Sequence, residues 1–290
     1  MEILKGAEVA NALNQALREA LPVFGENLPH LAIIRVGQRP DDMSYERGAV
    51  KRMAAVGLKC SCFSFEEEIS NSEFQQRFDE INEDEDVDGI LLLRPLPRHL
   101  DERAIEQRID PAKDVDGISP VNLAKVFAGD PSGYAPCTPE AVIEMLDYAK
   151  IDLTGKRAVV VGRSLVVGKP LAMLLMGRNA TVTVCHTKTV ELPAVCRSAQ
   201  VLVAAAGRAR MLDGRYVGPD AVVVDVGINV DQSGSLCGDV DFGSLPEHTA
   251  LATPVPGGVG TVTTSVLAKH VVQAAARRRL SFEKKKEWKL

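Results

Sequence analysis

Short runs of β-branched and aliphatic residues alternate along the chain with longer amphipathic stretches, a pattern that predicts a parallel sheet wrapped by helices. The runs at residues 31–36, 59–65, 89–93, 157–161, 181–184, 201–204 and 221–226 read as strands, with helices filling the gaps. The rhythm breaks at AGDPSGYAPCTP, residues 128–139, where turn formers cluster; a helix over 140–149 then leads into a fresh strand–turn–helix unit. We place a domain boundary there. The last amphipathic stretch, 263–279, is apolar on one face and is expected to return and pack on the first domain. The expectation is an α/β protein of two domains: residues 1–135 with 263–290 packing back, and 136–262 as a Rossmann-like, doubly wound parallel sheet.

Composition supports two cores, since 290 residues at 46% hydrophobic content exceed what one core usually needs. A net charge of −5 gives no global attraction to nucleic acid or an anionic membrane. The basic end, RRRLSFEKKKEWKL, therefore reads as a solvated helix end beside a frayed tail rather than a nucleic-acid patch. No charged-then-apolar leader opens the chain, and no apolar run approaches the roughly 20 residues of a membrane span, so a cytoplasmic protein is expected. The cysteines, Cys60, Cys62, Cys137, Cys185, Cys196 and Cys237, form no CxxC pair; neither a metal site nor a disulfide framework is indicated.

Chemistry first shows at GRSLVVGKP, after the strand at 157–161. Gly162 and Gly168 bracket a tight turn that opens a helix, an arrangement that aims backbone N–H groups and the positive helix end at a phosphate. Ser164 stands where the second glycine of G-x-G-x-x-G would be, so the turn alone also suits an ordinary strand-to-helix connection. The second strand ends in Cys185-His186-Thr187-Lys188-Thr189. It lacks the acid that would hold a ribose 2′-hydroxyl and offers hydroxyl and cationic groups, which with Arg163 suit a 2′-phosphate: NADP is favoured over NAD. His186 reads as a histidine hydrogen-bonded to backbone.

These motifs fall into a known order. From Gly37 to Leu267 the chain resembles the bifunctional methylenetetrahydrofolate dehydrogenase/methenyltetrahydrofolate cyclohydrolase family (FolD type). The signatures are Ser44-Tyr45, Arg94-Pro95-Leu96-Pro97, PAKDVDG (111–117), Pro136-Cys137-Thr138-Pro139, VVGRSLVVGKP (160–170), TVTVCHTKT (181–189), DVGIN (225–229), GDVDF (238–242) and TPVPGGVG (253–260). The resemblance implies an N-terminal folate-binding domain, a C-terminal cofactor domain, an active site in the cleft between them and a homodimer. It implies that Tyr45 stacks on 5,10-methylenetetrahydrofolate, that Asp116 hydrogen-bonds the pterin, and that Pro256, Gly257 and Gly258 line the pocket near the nicotinamide. Gly162, Arg163, Ser164, Thr187 and Ile228 match positions that contact NADP. Read without the family, Tyr45 is equally a tyrosine packed on a core, and Asp116 an Asx-type turn residue.

Two departures fall on partners. In the family pattern a lysine lies four residues after the tyrosine, and a glutamine before Leu-Pro-Leu-Pro holds it; here these positions are Ala49 and Leu93, and the following leucine is Arg94. Hydride transfer from the methylene carbon needs no proton abstraction, so aligned rings can supply most of what it requires. The cyclohydrolase step needs water attack and protonation of a nitrogen, hence a group of tunable pKa, commonly worth about 10²–10⁴ in rate. Lys51 lies roughly 200° around the helix and faces away. Arg52 and Arg94 stay protonated and serve instead to hold a folate carboxylate or orient a water. The expected activity is an NADP-dependent dehydrogenase with cyclohydrolase weak or absent. The alternatives are an enzyme with both activities, a folate-binding protein without catalysis, and another Rossmann dehydrogenase. The last would want a base near the cleft, yet His99 and His248 read as surface residues.

Overall fold

The computed structural model describes residues 1–281 and 284. In chain order its elements are β1 (Glu2–Ile3), α1 (Gly6–Ala20), β2 (His30–Val36), α2 (Pro40–Val56), β3 (Lys59–Phe65), α3 (Asn71–Glu83) and β4 (Gly89–Leu92). There follow α4 (Glu102–Arg108), α5 (Pro120–Ala128), α6 (Cys137–Tyr148), β5 (Arg157–Val161), α7 (Gly168–Gly177), β6 (Thr181–Cys185), α8 (Leu192–Arg197) and β7 (Val201–Ala204). The last are β8 (Val222–Asp225), β9 (Asn229–Val230), β10 (Leu236–Cys237), β11 (Leu251–Ala252) and α9 (Val259–Arg279). Two compact units result, one of Ala12–Cys137 with the chain from Thr264 onward, the other of Met1–Asn11 with Thr138–Thr263.

In the first unit β2 lies between β3 and β4, all parallel. β2 and β4 carry buried aliphatics on both faces, as a strand covered on both sides must. Ile34, Val36, Ile90 and Leu92 pack with Phe74, Phe78 and Ile105 in one core. α2 starts on Pro40, with Asp41 and Asp42 in its first turn, and stops at Gly57, whose φ of +97° is the left-handed cap glycine tolerates best.

The second unit is a six-stranded parallel sheet in the order β1-β11-β8-β7-β5-β6. β6 and β7 flank β5, so the connection from β5 to β6 runs to one side and the next, from β6 to β7, crosses back to the other, which opens a switch point at the carboxyl end of β5.

Two expectations change and a third gains detail. Residues 1–11 belong with the second unit, not the first: β1 adds the edge strand beside β11, with Glu2 N–H on Ala250 O and Leu4 N–H on Ala252 O. Helices do not fill every gap, because between β8 and β11 the chain makes the antiparallel pair β9–β10. The arginines at the end of α9, of which Arg277 and Arg278 are exposed as expected, are also anchors. Arg277 donates to Ser132 O and Pro131 O, Arg278 to Val87 O, and Arg279 pairs with buried Asp88 at 2.6 Å. The tail beyond residue 281, apart from residue 284, lies outside the described residues. Among the described residues no helix is long and apolar enough to cross a membrane.

Candidate active site

The cofactor positions read from the sequence converge on the carboxyl edge of the six-stranded sheet. Gly162 leaves β5 at φ +141°, and a Cβ there would lie 2.0 Å from the carbonyl of Ala205, the residue after β7. A Cβ on Gly168 would lie 2.1 Å from Gly162 O, so the turn closes only if both are glycine. Ser164 Oγ accepts the Val167 N–H at 3.0 Å and the Gly168 N–H at 3.4 Å, so the residue in the second glycine's place ties down the turn that leads into α7. β5 and β6 pair in register up to Val161 and Cys185, which puts Arg163 and the Thr187-Lys188 turn at the same edge. Arg163, Thr187 and Lys188 are exposed, and among the described residues neither cation has an ion pair. His186 Nδ1 accepts the Lys188 N–H at 3.1 Å, fixing that turn through backbone.

Two buried aspartates tie the rest of the edge together. Asp225 accepts from the N–H groups of Gly227, Asp239 and Val240 at 2.9, 3.1 and 2.9 Å. Asp239 accepts from Ala206, Gly207 and Arg208 N–H and from Asn229 Nδ2. Burial raises the Asp225 carboxyl to about 6, against the pull of those three N–H groups. The glycines of both motifs have a steric cause: a Cβ on Gly238 would lie 1.8 Å from Asp225 Oδ2, and one on Gly227 would lie 2.4 Å from the Asp239 carboxyl carbon. The clamp presents Ile228 outward, 69% exposed, with its Cδ1 beside Gly260. Thr253 Oγ1 accepts the Asp225 N–H, joining this loop to the one that holds Pro256, Gly257 and Gly258. Pro256 follows a cis peptide, and Gly257 sits at φ +99° with open space where a side chain would go.

In the other unit, the turn after α4 separates two aspartates that, apart from the family resemblance, look alike in the sequence. Asp114 makes the turn: fully buried, it accepts Ile118 N–H, Ser119 N–H and Asn122 Nδ2. Asp116 has no such duty. Its Oδ1 takes the Cys137 N–H at 3.3 Å; burial pushes its carboxyl up, while Cys137 and the nearby Arg94 guanidinium pull it back. Arg94, expected to reach a folate carboxylate, already holds two of the chain's own, Glu106 at 2.6 Å and Glu102 at 3.6 Å.

On α2, Asp42, Tyr45, Ala49 and Arg52 succeed one another at helical spacing along one face. Tyr45 is half-buried and Ala49 fully buried, while Lys51 is exposed. Arg52 donates through Nε to Thr264 Oγ1 at 3.2 Å. Leu93, just past β4, is also buried. Sequence reading passed over Asp42, and it quoted Cys137, DVGIN and GDVDF as signatures without giving Cys137, Asp225 or Asp239 a role. Two acids in a helix's first turn look alike in a sequence, although the i−3 spacing from Tyr45 singled one out. His99 and His248 are exposed, and His99 is spent on Ile69 O.

Comparison with known proteins identifies the family. Residues 4–116 match the catalytic domain of the tetrahydrofolate dehydrogenase/cyclohydrolase family, and residues 136–279 match its NAD(P)-binding domain. The bifunctional protein FolD of Clostridium kluyveri is 51% identical over 278 residues, 95% of this chain and 98% of that protein. Among solved structures, bifunctional FolD from Campylobacter jejuni superposes with a TM-score of 0.93 at 37% identity, covering 96% of this chain and 99% of that one. The Trypanosoma brucei dehydrogenase–cyclohydrolase, solved with NADP cofactor and an inhibitor, gives 0.90 at 33%, covering 96% and 98%. The chain belongs to the tetrahydrofolate dehydrogenase/cyclohydrolase family.

Proposed function

We propose that this chain is an NADP-dependent 5,10-methylenetetrahydrofolate dehydrogenase of one-carbon metabolism whose cyclohydrolase step is weak or absent. The observation that carries the reading is the Tyr45 face of α2, where the place of the family's lysine is taken by a buried methyl group. Its glutamine partner is replaced by the equally apolar, buried Leu93.

The residues present suit the cofactor. The Gly162–Gly168 turn leaves no room for side chains where a pyrophosphate would approach backbone N–H groups, and Arg163 and Lys188 stand exposed beside a strand end without an acid. Bound NADP supplies the nicotinamide carbon that accepts a hydride from the methylene carbon. The chain's part is to align the two rings: Tyr45 offers a flat face to the pterin, Asp116 a carboxylate to its N–H groups, and Ile228 with Gly257 and Gly258 a low wall beside the nicotinamide. No side chain need take a proton, because the electron pair leaves with the hydride and the positive charge spreads over the two folate nitrogens.

Hydrolysis of the methenyl product asks for more, and nothing at position 49 can relay a proton. The relatives called bifunctional favour a second reading, in which both activities are kept. Following the decay of methenyltetrahydrofolate with and without the purified protein separates the two: a monofunctional dehydrogenase leaves the decay at its spontaneous rate, and clear acceleration would establish the bifunctional reading. The family also suggests a homodimer in solution.

A further inference from the structure

Asp41 and Asp42 stand side by side in the first turn of α2, where either would favour the positive helix end. Only one needs that explanation. Asp41 is exposed to water, but Asp42 is 7% exposed, three residues before Tyr45 and seven before Ala49 on the same face. Its ion pair is loose, with Arg39 Nε at 3.8 Å; Arg39 is itself 44% exposed and donates to Pro95 O at 2.8 Å. Most of the side chain is covered and Arg39 is only a loose partner, so the carboxylate keeps an open side that a cation could face. Burial raises the Asp42 carboxyl, and Arg39 and the more distant Arg35 draw it back against Asp41.

We propose that Asp42 is a catalytic residue of the dehydrogenase: its carboxylate faces the N–C–N unit of the folate and stabilises the positive charge that appears there as hydride leaves. The proposal rests on the reading of the Tyr45 face as the folate site. In the step, one C–H bond of the methylene carbon breaks and its electron pair goes with the hydrogen to the oxidised nicotinamide. The folate ring becomes a cation, and Asp42 takes no proton and forms no bond. A preorganised charge of this kind acts most strongly where water is excluded. With Ala49 in place of a lysine, the face carries one ammonium fewer to oppose Asp42, which Arg39 pairs only loosely. The same field holds the methenyl cation as a product and makes it a poorer target for water. Loss of the lysine and burial of Asp42 would thus be two parts of one change, from a pocket that hydrolyses the cation to one that keeps it.

The test compares affinities of the protein without NADP for two ligands with the same tail, cationic methenyltetrahydrofolate and neutral tetrahydrofolate. Asp42→Asn, nearly isosteric, should weaken the cation roughly tenfold or more while leaving tetrahydrofolate unchanged, and should lower dehydrogenase kcat without changing KM for NADP. Asp42→Ser, measured in parallel with thermal midpoints, should repeat the pattern. An unchanged affinity ratio in both variants, or equal weakening of both ligands, would overturn the proposal while leaving the folate site standing. Failure of the unaltered protein to bind either ligand would sink the folate reading, and this proposal with it.

Discussion

Ala49 is fully buried, so restoring a lysine there places an ammonium among apolar neighbours, and the cost of an unpaired buried charge runs to several kcal/mol. Ala49→Lys alone should therefore lower the thermal midpoint and give little activity. Adding Leu93→Gln supplies the amide partner, and the pair should gain cyclohydrolase turnover; a pair that stays inactive with dehydrogenase intact would show that more than these two positions separates the reactions. Asp225 makes a second test at this scale. Its folded value, raised to about 6 from the ordinary 3.8, means that its contribution to stability is full below about pH 4 and is lost as pH rises through 6. Asp225→Asn must turn an NH₂ toward N–H donors and should cost about 1–3 kcal/mol. The fall in midpoint between pH 4 and 6 should shrink in that variant, as a pH series of melting curves would reveal.

Elements, rather than single side chains, build the cofactor edge, and the predictions there concern the turn that starts α7. Gly168→Ala would press a methyl group against Gly162 O and, at 2.9 Å, Arg163 N, displacing the turn. KM for NADP should rise at least tenfold, by the roughly 1.5–3 kcal/mol of a charge-assisted hydrogen bond, with KM for folate little altered. Arg163→Gln with Lys188→Gln should erode the preference for NADP over NAD without slowing turnover with NAD; equal losses with both cofactors would remove these cations from the 2′-phosphate. At this scale the sequence was a good guide to strands of four or more residues, because runs such as AVVV and VVVD carry buried β-branched side chains on both faces. It was blind to β1, β9, β10 and β11, since a two-residue pairing has no periodicity. Anchors such as Arg277 were hidden for a related reason: carbonyl acceptors leave no mark on a sequence. Asp116 was singled out by the family resemblance alone; residue type and spacing did not separate it from Asp114, to which hydrogen bonds give the turn.

At the scale of the whole molecule, the first residues of the chain serve the six-stranded sheet. β1 closes one edge of the six-stranded sheet, and Gly6 N–H donates to Gly257 O, so the first residues brace the loop expected beside the nicotinamide. Removing residues 1–5 should weaken NADP binding and lower the thermal midpoint. The family's suggestion of a homodimer predicts a sedimenting species of twice the chain's 31.3 kDa. All of these effects are secondary to what the enzyme releases. The most direct measurement follows NADPH and methenyltetrahydrofolate together, by absorbance, while the purified protein oxidises methylenetetrahydrofolate with NADP. The account predicts that the methenyl compound accumulates one for one with NADPH, apart from its spontaneous hydrolysis. NADPH formed while the methenyl compound stays low would contradict it, and would mean that another group does the missing lysine's work.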